Sequence, residues 1–199
     1  SEHKRNEPLR KEYGIEDELV FLLPSRFDIK QKGHDIAIRA IGILKRQGVK
    51  VKCVFSGYDQ DAYEGNKKIL DGLLEDANLK EHVILTRFED IRDAYSMCDV
   101  VISPERFCSY GLSISESLAL GLPTVMTPIP TYREIALSYE HAHFADGFSP
   151  EKFAEILLKV VKVNLEPNLD EAYRFRAEND FVKCVDRYRK VYQQILKTN

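Results

Sequence analysis

The 199-residue sequence predicts an α/β fold, a parallel sheet with helices on both faces, and three observations carry that prediction. Short β-branched runs alternate with longer amphipathic stretches along most of the chain. The short runs are apolar on consecutive positions, as in strands buried on both faces. Parallel neighbours need crossover connections, and the amphipathic stretches are long enough to supply them.

In chain order, Val20-Phe21-Leu22-Leu23 is the first strand, followed by a helix from His34 to Gln47 with Ile36, Ala40, Ile41 and Leu44 on one face. Val49 to Gly57 pairs with a helix from Tyr63 to Ala77, where Ile69, Leu70, Leu73 and Leu74 recur at helical spacing. His82 to Thr86 precedes a helix over Ile91 to Cys98, and Asp99 to Ser103 precedes one over Leu112 to Leu120. Pro123 to Pro128 leads to a short helix around Arg133 to Ser138. His141 to Ala145 leads to one over Pro150 to Val163, and Asp170 to Lys197 reads as helix throughout. Asn164-Leu165-Glu166-Pro167-Asn168 marks a linker, so residues 1–163 are expected to form a Rossmann-like domain and 164–199 a helical extension packing on it.

Composition narrows the function classes. A net charge of −3, from 29 Lys plus Arg against 32 Asp plus Glu, offers no basic surface for nucleic acid or anionic membrane. Cys53, Cys98, Cys108 and Cys184 have no C-x-x-C spacing, so reduced thiols in a cytosol are expected. No apolar run reaches the ~20 residues that span a bilayer, the polar start is unlike a signal peptide, and no membrane contact is expected of this domain. The chain begins without Met, from which a piece of a longer protein is expected.

Ligands of such sheets sit outside the carboxyl ends of the strands, which directs attention to the loops at Ser25-Arg26, Gly57-Tyr58, Arg87-Phe88, Pro104 to Gly111 and Pro128 to Thr131. In the first, Arg26 and Lys32 flank a turn with Lys30 close by and Gly33 opens the next helix, a setting suited to phosphate oxygens, although spacing alone favours a solvated basic turn. In the fourth, Ser113-Ile114-Ser115-Glu116 matches a capping box in which Ser113 caps the helix. The same Glu116 could instead meet a pair of vicinal hydroxyls such as those of a ribose. His141-Ala142-His143 places two imidazoles on one face of a short strand with no carboxylate or Cys cluster in sight. A packed or solvated pair is expected there, with no metal site.

The stretch RFCSYGLSISESLALGLP resembles the donor-binding motif of the retaining glycosyltransferases of family 4 and their glycogen and starch synthase relatives. The shared letters are Gly111, Leu112, Glu116, Ala119, Gly121 and Pro123, with Tyr110 in place of Phe and Leu118 in place of Met. SRFDIKQKGHDIAIRAI is similar to the family's Gly-Arg-Phe-Asp…Lys-Gly stretch, with Arg26, Lys32 and Gly33 in register, and the likeness covers roughly residues 9 to 163. It implies one half of a GT-B architecture, the C-terminal domain that holds a nucleoside-diphosphate sugar, with an N-terminal acceptor domain outside this chain. By resemblance, Arg26 and Lys32 neutralise the diphosphate, which makes a metal unnecessary, and Glu116 binds the ribose. Gly33, Arg87, Phe88, Cys108, Ser109, Tyr110, Gly111 and Leu112 then complete the donor site, with the base beside Arg87 and Phe88.

This chain departs from the pattern twice. The family's first motif glutamate falls on Cys108, for which Glu105 would compensate only if the loop were rearranged, and Pro130-Thr131 stand where Gly-Gly is usual before Glu134. The expected function is therefore the donor half of a sugar transferase, inactive without its acceptor half. A non-catalytic nucleotide-sugar-binding or assembly module is the alternative. A dehydrogenase is disfavoured because no G-x-G-x-x-G follows the first strand.

Overall fold

The computed structural model describes residues 4–57, 60–163 and 165–197, with side chains of 60–63 left out; Tyr58 of the second post-strand loop and Asn164 of the linker lie outside the described residues. Six parallel strands form one sheet in the order β3-β2-β1-β4-β5-β6: β1 (Leu19–Arg26), β2 (Val51–Gly57), β3 (Val83–Leu85), β4 (Val100–Ser103), β5 (Thr124–Met126) and β6 (Ala142–Phe144). The α/β class and the doubly wound arrangement are as the sequence predicts.

Strand alternation divides the core. Phe21, Leu23, Cys53, Phe55, Val100 and Ile102 face α2 (His34–Arg46), α3 (Gln60–Asp76) and α7 (Pro150–Val160). Val20, Leu22, Val54 and Val101 face α1 (Glu7–Glu12) and α4 (Ile91–Met97). Met126 joins α5 (Leu112–Leu120), α6 (Pro130–Ala136) and α8 (Leu169–Glu178) through Ile114, Leu118, Tyr132 and Phe175.

Two features differ from the sequence expectation, and a third adds to it. α1 was not legible, being six mostly polar residues, and is anchored by fully buried Arg10. The tail is two helices, α8 and α9 (Phe181–Lys197), because Asn179 closes the first and the Asp180 carboxylate accepts from the Val182 amide to open the second. The segment read as a linker is tied to the core at its end: the Asn168 amide donates to the Gly121 carbonyl at 2.9 Å and the Asn168 side chain caps α8. A side chain on Gly121, whose φ is +72°, would lie 2.4 Å from the Asn168 carbonyl oxygen.

His34 opens α2 between the rings of Phe27 and Phe55, each 5.0 Å away, and burial pushes its pKa down to about 4. The folded protein therefore binds fewer protons at His34 than the unfolded chain does below the ordinary value of 6.5. Its contribution is intact above pH 6.5 and is lost as pH falls toward 4, about 3 kcal/mol in all. Imidazole NMR should show His34 still neutral at pH 5, and a midpoint near 6.5 would contradict this.

Candidate functional site

The strand order reverses between β1 and β4, and at such a switch point the two post-strand loops diverge and leave a crevice. The loop after β1 is shaped locally: buried Phe27 and Ile29 anchor it, the Asp28 carboxylate accepts from the Gln31 amide at 2.9 Å, and Gly33 turns into α2 with φ +73°. The loop after β4 lies against it so closely that a side chain on Gly33 would sit 2.0 Å from the Pro104 carbonyl oxygen. Glycine is required there by both backbone angle and space.

Side chains tie the two loops further. The Lys32 ammonium donates to both oxygens of Glu105 at 2.9 Å. Arg106 donates to both carboxylate oxygens of Asp35 at 2.9 Å, and its amide donates to the Gln31 carbonyl at 3.0 Å. Bidentate pairs of this kind set orientation as well as distance.

Between the loops lies a cavity of about 400 Å³, with Pro24 to Arg26, Gln31 and Lys32 on one side and Glu105 and Phe107 to Ser113 on the other. Arg26 reaches it largely solvated, 67% exposed, with one contact to Gln31 and a longer one of 3.7 Å to Asp28. α5 opens on the cavity through Gly111, which has φ +86° and no side-chain cap. The first amides of α5 thus have no intrahelical acceptor and, with the helix dipole, present positive potential. A side chain on Gly111 would press on the Tyr132 ring at 2.9 Å, and Tyr132 is in turn fixed by a 2.6 Å hydrogen bond between its hydroxyl and that of Ser103.

Arg26, Lys32, Cys108, Ser109, Tyr110, Gly111 and Leu112 therefore meet at one cavity, with Gly33 at its seam. Cys108 is half-buried, and its carbonyl accepts from the Thr131 hydroxyl at 2.9 Å, so Thr131 ties α6 to the cavity wall. The remaining sequence candidates lie elsewhere. Glu116 is one turn further along α5 and outside the cavity lining, where it accepts from the Tyr95 hydroxyl at 2.7 Å. The capping box does not form, because α5 starts at Leu112 with Gly111 as cap and Ser113 is already inside the helix. Arg87 is exposed beside β3 and bridges to the Gly57 backbone, while Phe88 packs on Tyr13 with ring centres 5.8 Å apart. Phe88 thus has a core role in this fold.

His141 precedes β6 and does have a carboxylate at hand, Glu171 of α8 at 3.6 Å, which corrects the expectation drawn from local sequence. No group of three or more His, Cys, Asp or Glu suited to a metal occurs among the described residues. Sequence reasoning also passed over Gln31, Phe107 and Arg106 and gave Glu105 a part only in a rearranged loop. The position of Glu105 directly after β4 and Pro104 was its one available signal.

The sequence profile described as Glycosyl transferases group 1 matches residues 5–179. The chain belongs to this family. Within it, the chain is 29% identical over 191 residues to the O-antigen biosynthesis glycosyltransferase WclY of Escherichia coli, covering 94% of this chain and 50% of the relative. It is 27% identical over 161 residues to mannosylfructose-phosphate synthase of Agrobacterium fabrum, covering 77% of this chain and 35% of the relative. The chain thus spans a third to a half of the length of these relatives.

Among solved structures, Anabaena HepE in complex with UDP superposes with a TM-score of 0.82 at 18% identity, over 94% of this chain and 52% of that one. The C-terminal domain of the glycosyl transferase group 1 family protein LpcC from Francisella tularensis superposes with a TM-score of 0.73 at 18% identity, over 88% of this chain and 94% of that one. Both likenesses place this chain in the GT-B fold. No helix among the described residues is long and apolar enough to cross a membrane.

Proposed function

We propose that the cavity between the β1 and β4 loops binds the diphosphate of a nucleoside-diphosphate sugar, and that this chain is the donor-binding half of a retaining glycosyltransferase. The observation that carries this reading is the convergence of Arg26, Lys32 and the uncapped amino end of α5 on one cavity at the sheet's switch point. As the bond from the sugar to the diphosphate breaks, negative charge grows on the leaving phosphate. Fixed cations and amides stabilise it without having to reorganise. Charge neutralisation by these groups assigns no role to a metal.

The sugar then lies along Cys108 to Leu112, and the ribose lies toward Glu116, one turn beyond the lining residue Ser113. The acceptor is assigned to an N-terminal domain outside this chain, a reading supported by the likeness to the LpcC C-terminal domain and by the partial span of the relatives. The exposed apolar residues of α9, among them Phe181, Tyr188, Tyr192 and Ile195, are assigned to contact with that domain. A binding or assembly module without turnover is the second reading, favoured by a thiol at Cys108 where the motif that this sequence resembles has a glutamate.

Calorimetry tests the site. Uptake of UDP or GDP with no uptake of NAD is expected, and a chain that takes NAD or neither diphosphate refutes the assignment. Turnover by the protein together with its acceptor domain then separates transferase from module. Replacing Cys108 by Glu in that protein restores a strong acceptor for sugar hydroxyls, so the ranking of nucleotide sugars should change by about tenfold or more. Equal rates and an unchanged ranking would mean that Cys108 does not set donor choice.

A further inference from the structure

The cavity holds a charge that the phosphate reading does not use. Its charged lining residues are Arg26, Lys32 and Glu105, and Glu105 is only 3% exposed. The two cations are held differently. Arg26 is solvated and its carboxylate neighbour Asp28 is 3.7 Å away and itself 37% exposed, so that pair can part at little cost. Glu105 cannot retreat into water. Its backbone carbonyl accepts from the Thr127 hydroxyl, and the next residue, Arg106, is clamped to Asp35 and to the Gln31 carbonyl. The carboxylate also bears on buried Tyr132, raising the phenol's pKa after the larger effect of burial. An ammonium has three donors, and Glu105 takes two of those on Lys32.

We propose that Glu105 is a built-in counter-ion for Lys32 that competes with the diphosphate for the ammonium and thereby weakens retention of the nucleoside diphosphate product. The inference rests on the donor-site reading above. A diphosphate entering the cavity meets the one remaining Lys32 donor together with a fixed negative charge beside it. Phosphate contact is then favourable enough to orient the donor yet loose enough to let the product leave. Glu105 acts here through Lys32, as a positioning and release residue, and takes no bond-making step.

Calorimetric binding of UDP and GDP to the native chain, Glu105→Gln and Glu105→Asp tests this. Glu105→Gln keeps the shape and removes the charge, so the Kd for the preferred diphosphate should fall about tenfold or more, with a steeper rise of Kd with salt. Glu105→Asp keeps the charge and should stay within about twofold of the native value. A Kd for Glu105→Gln that is unchanged or weaker, or an equal gain from Glu105→Asp, overturns the proposal. A shift in melting temperature with no change in Kd or its salt dependence also overturns it, leaving only a structural ion pair. Glu105→Ser, a second neutral variant, decides the matter if the glutamine variant does not fold. Should the native chain bind neither diphosphate, the donor-site reading falls first, which separates the two failures.

Discussion

Replacing Arg26 by alanine should reduce sugar transfer by about a hundred- to a thousandfold while leaving stability within about 0.5 kcal/mol of the native protein. The two halves of that expectation have separate causes. Arg26 is 67% exposed and its contacts to Gln31 and Asp28 are surface contacts, so the fold loses almost nothing with it. In the proposed reaction the same guanidinium faces phosphate oxygens whose charge rises as the sugar departs, and an interaction that strengthens only in the transition state appears in kcat. Steady-state kinetics of the protein with its acceptor domain, with melting curves alongside, checks both halves. A drop in melting temperature that matches the loss of rate would make Arg26 structural, and retained kcat would remove it from the mechanism. Lys32 is a poorer first choice, because its removal would strand buried Glu105 without its partner.

The largest expected loss of stability lies across the sheet, away from the cavity. Fully buried Arg10 donates to Asp99 at 3.1 Å, to the Met97 carbonyl at 2.6 Å and to the Glu18 carbonyl at 2.7 Å. Asp99 also accepts from the Val20 amide at 2.7 Å and from Arg5 at 3.0 Å. One ion pair thus joins α1, the turn before β4 and the start of β1. Arg10→Met leaves the buried carboxylate with Arg5 as its one cation beside the Val20 amide, and takes a donor from the Met97 and Glu18 carbonyls, at a cost of about 3 kcal/mol. For a chain of this size that lowers Tm by roughly 6 to 12 °C. Thermal unfolding of the variant checks it, and a Tm within about 2 °C of the native value would show that Arg5 or water replaces Arg10 fully.

Much of the site was legible in sequence because its parts are local. Arg26, Lys32 and Gly33 share one loop, Cys108 to Leu112 share another, and both loops follow apolar runs whose carboxyl ends must face a ligand in a parallel sheet. The break at Asn179-Asp180 had a capping signal that helical periodicity on either side concealed. α1 carried no apolar periodicity, and what holds it is a residue 89 positions away. Glu116 looked like part of a capping box because Ser113 stands at the right spacing. Gly111, with its positive φ, starts the helix first and leaves Glu116 to Tyr95.

From sequence alone, the order of strands and helices follows from burial periodicity, and the two loops that carry cations and an open helix end follow from that order. The charge balance of the cavity is a tertiary result. Lys32 and Glu105 are 73 residues apart and Arg106 and Asp35 are 71 apart. Their pairing depends on how closely Gly33 lets one backbone approach Pro104 of the other, and no local pattern encodes that distance.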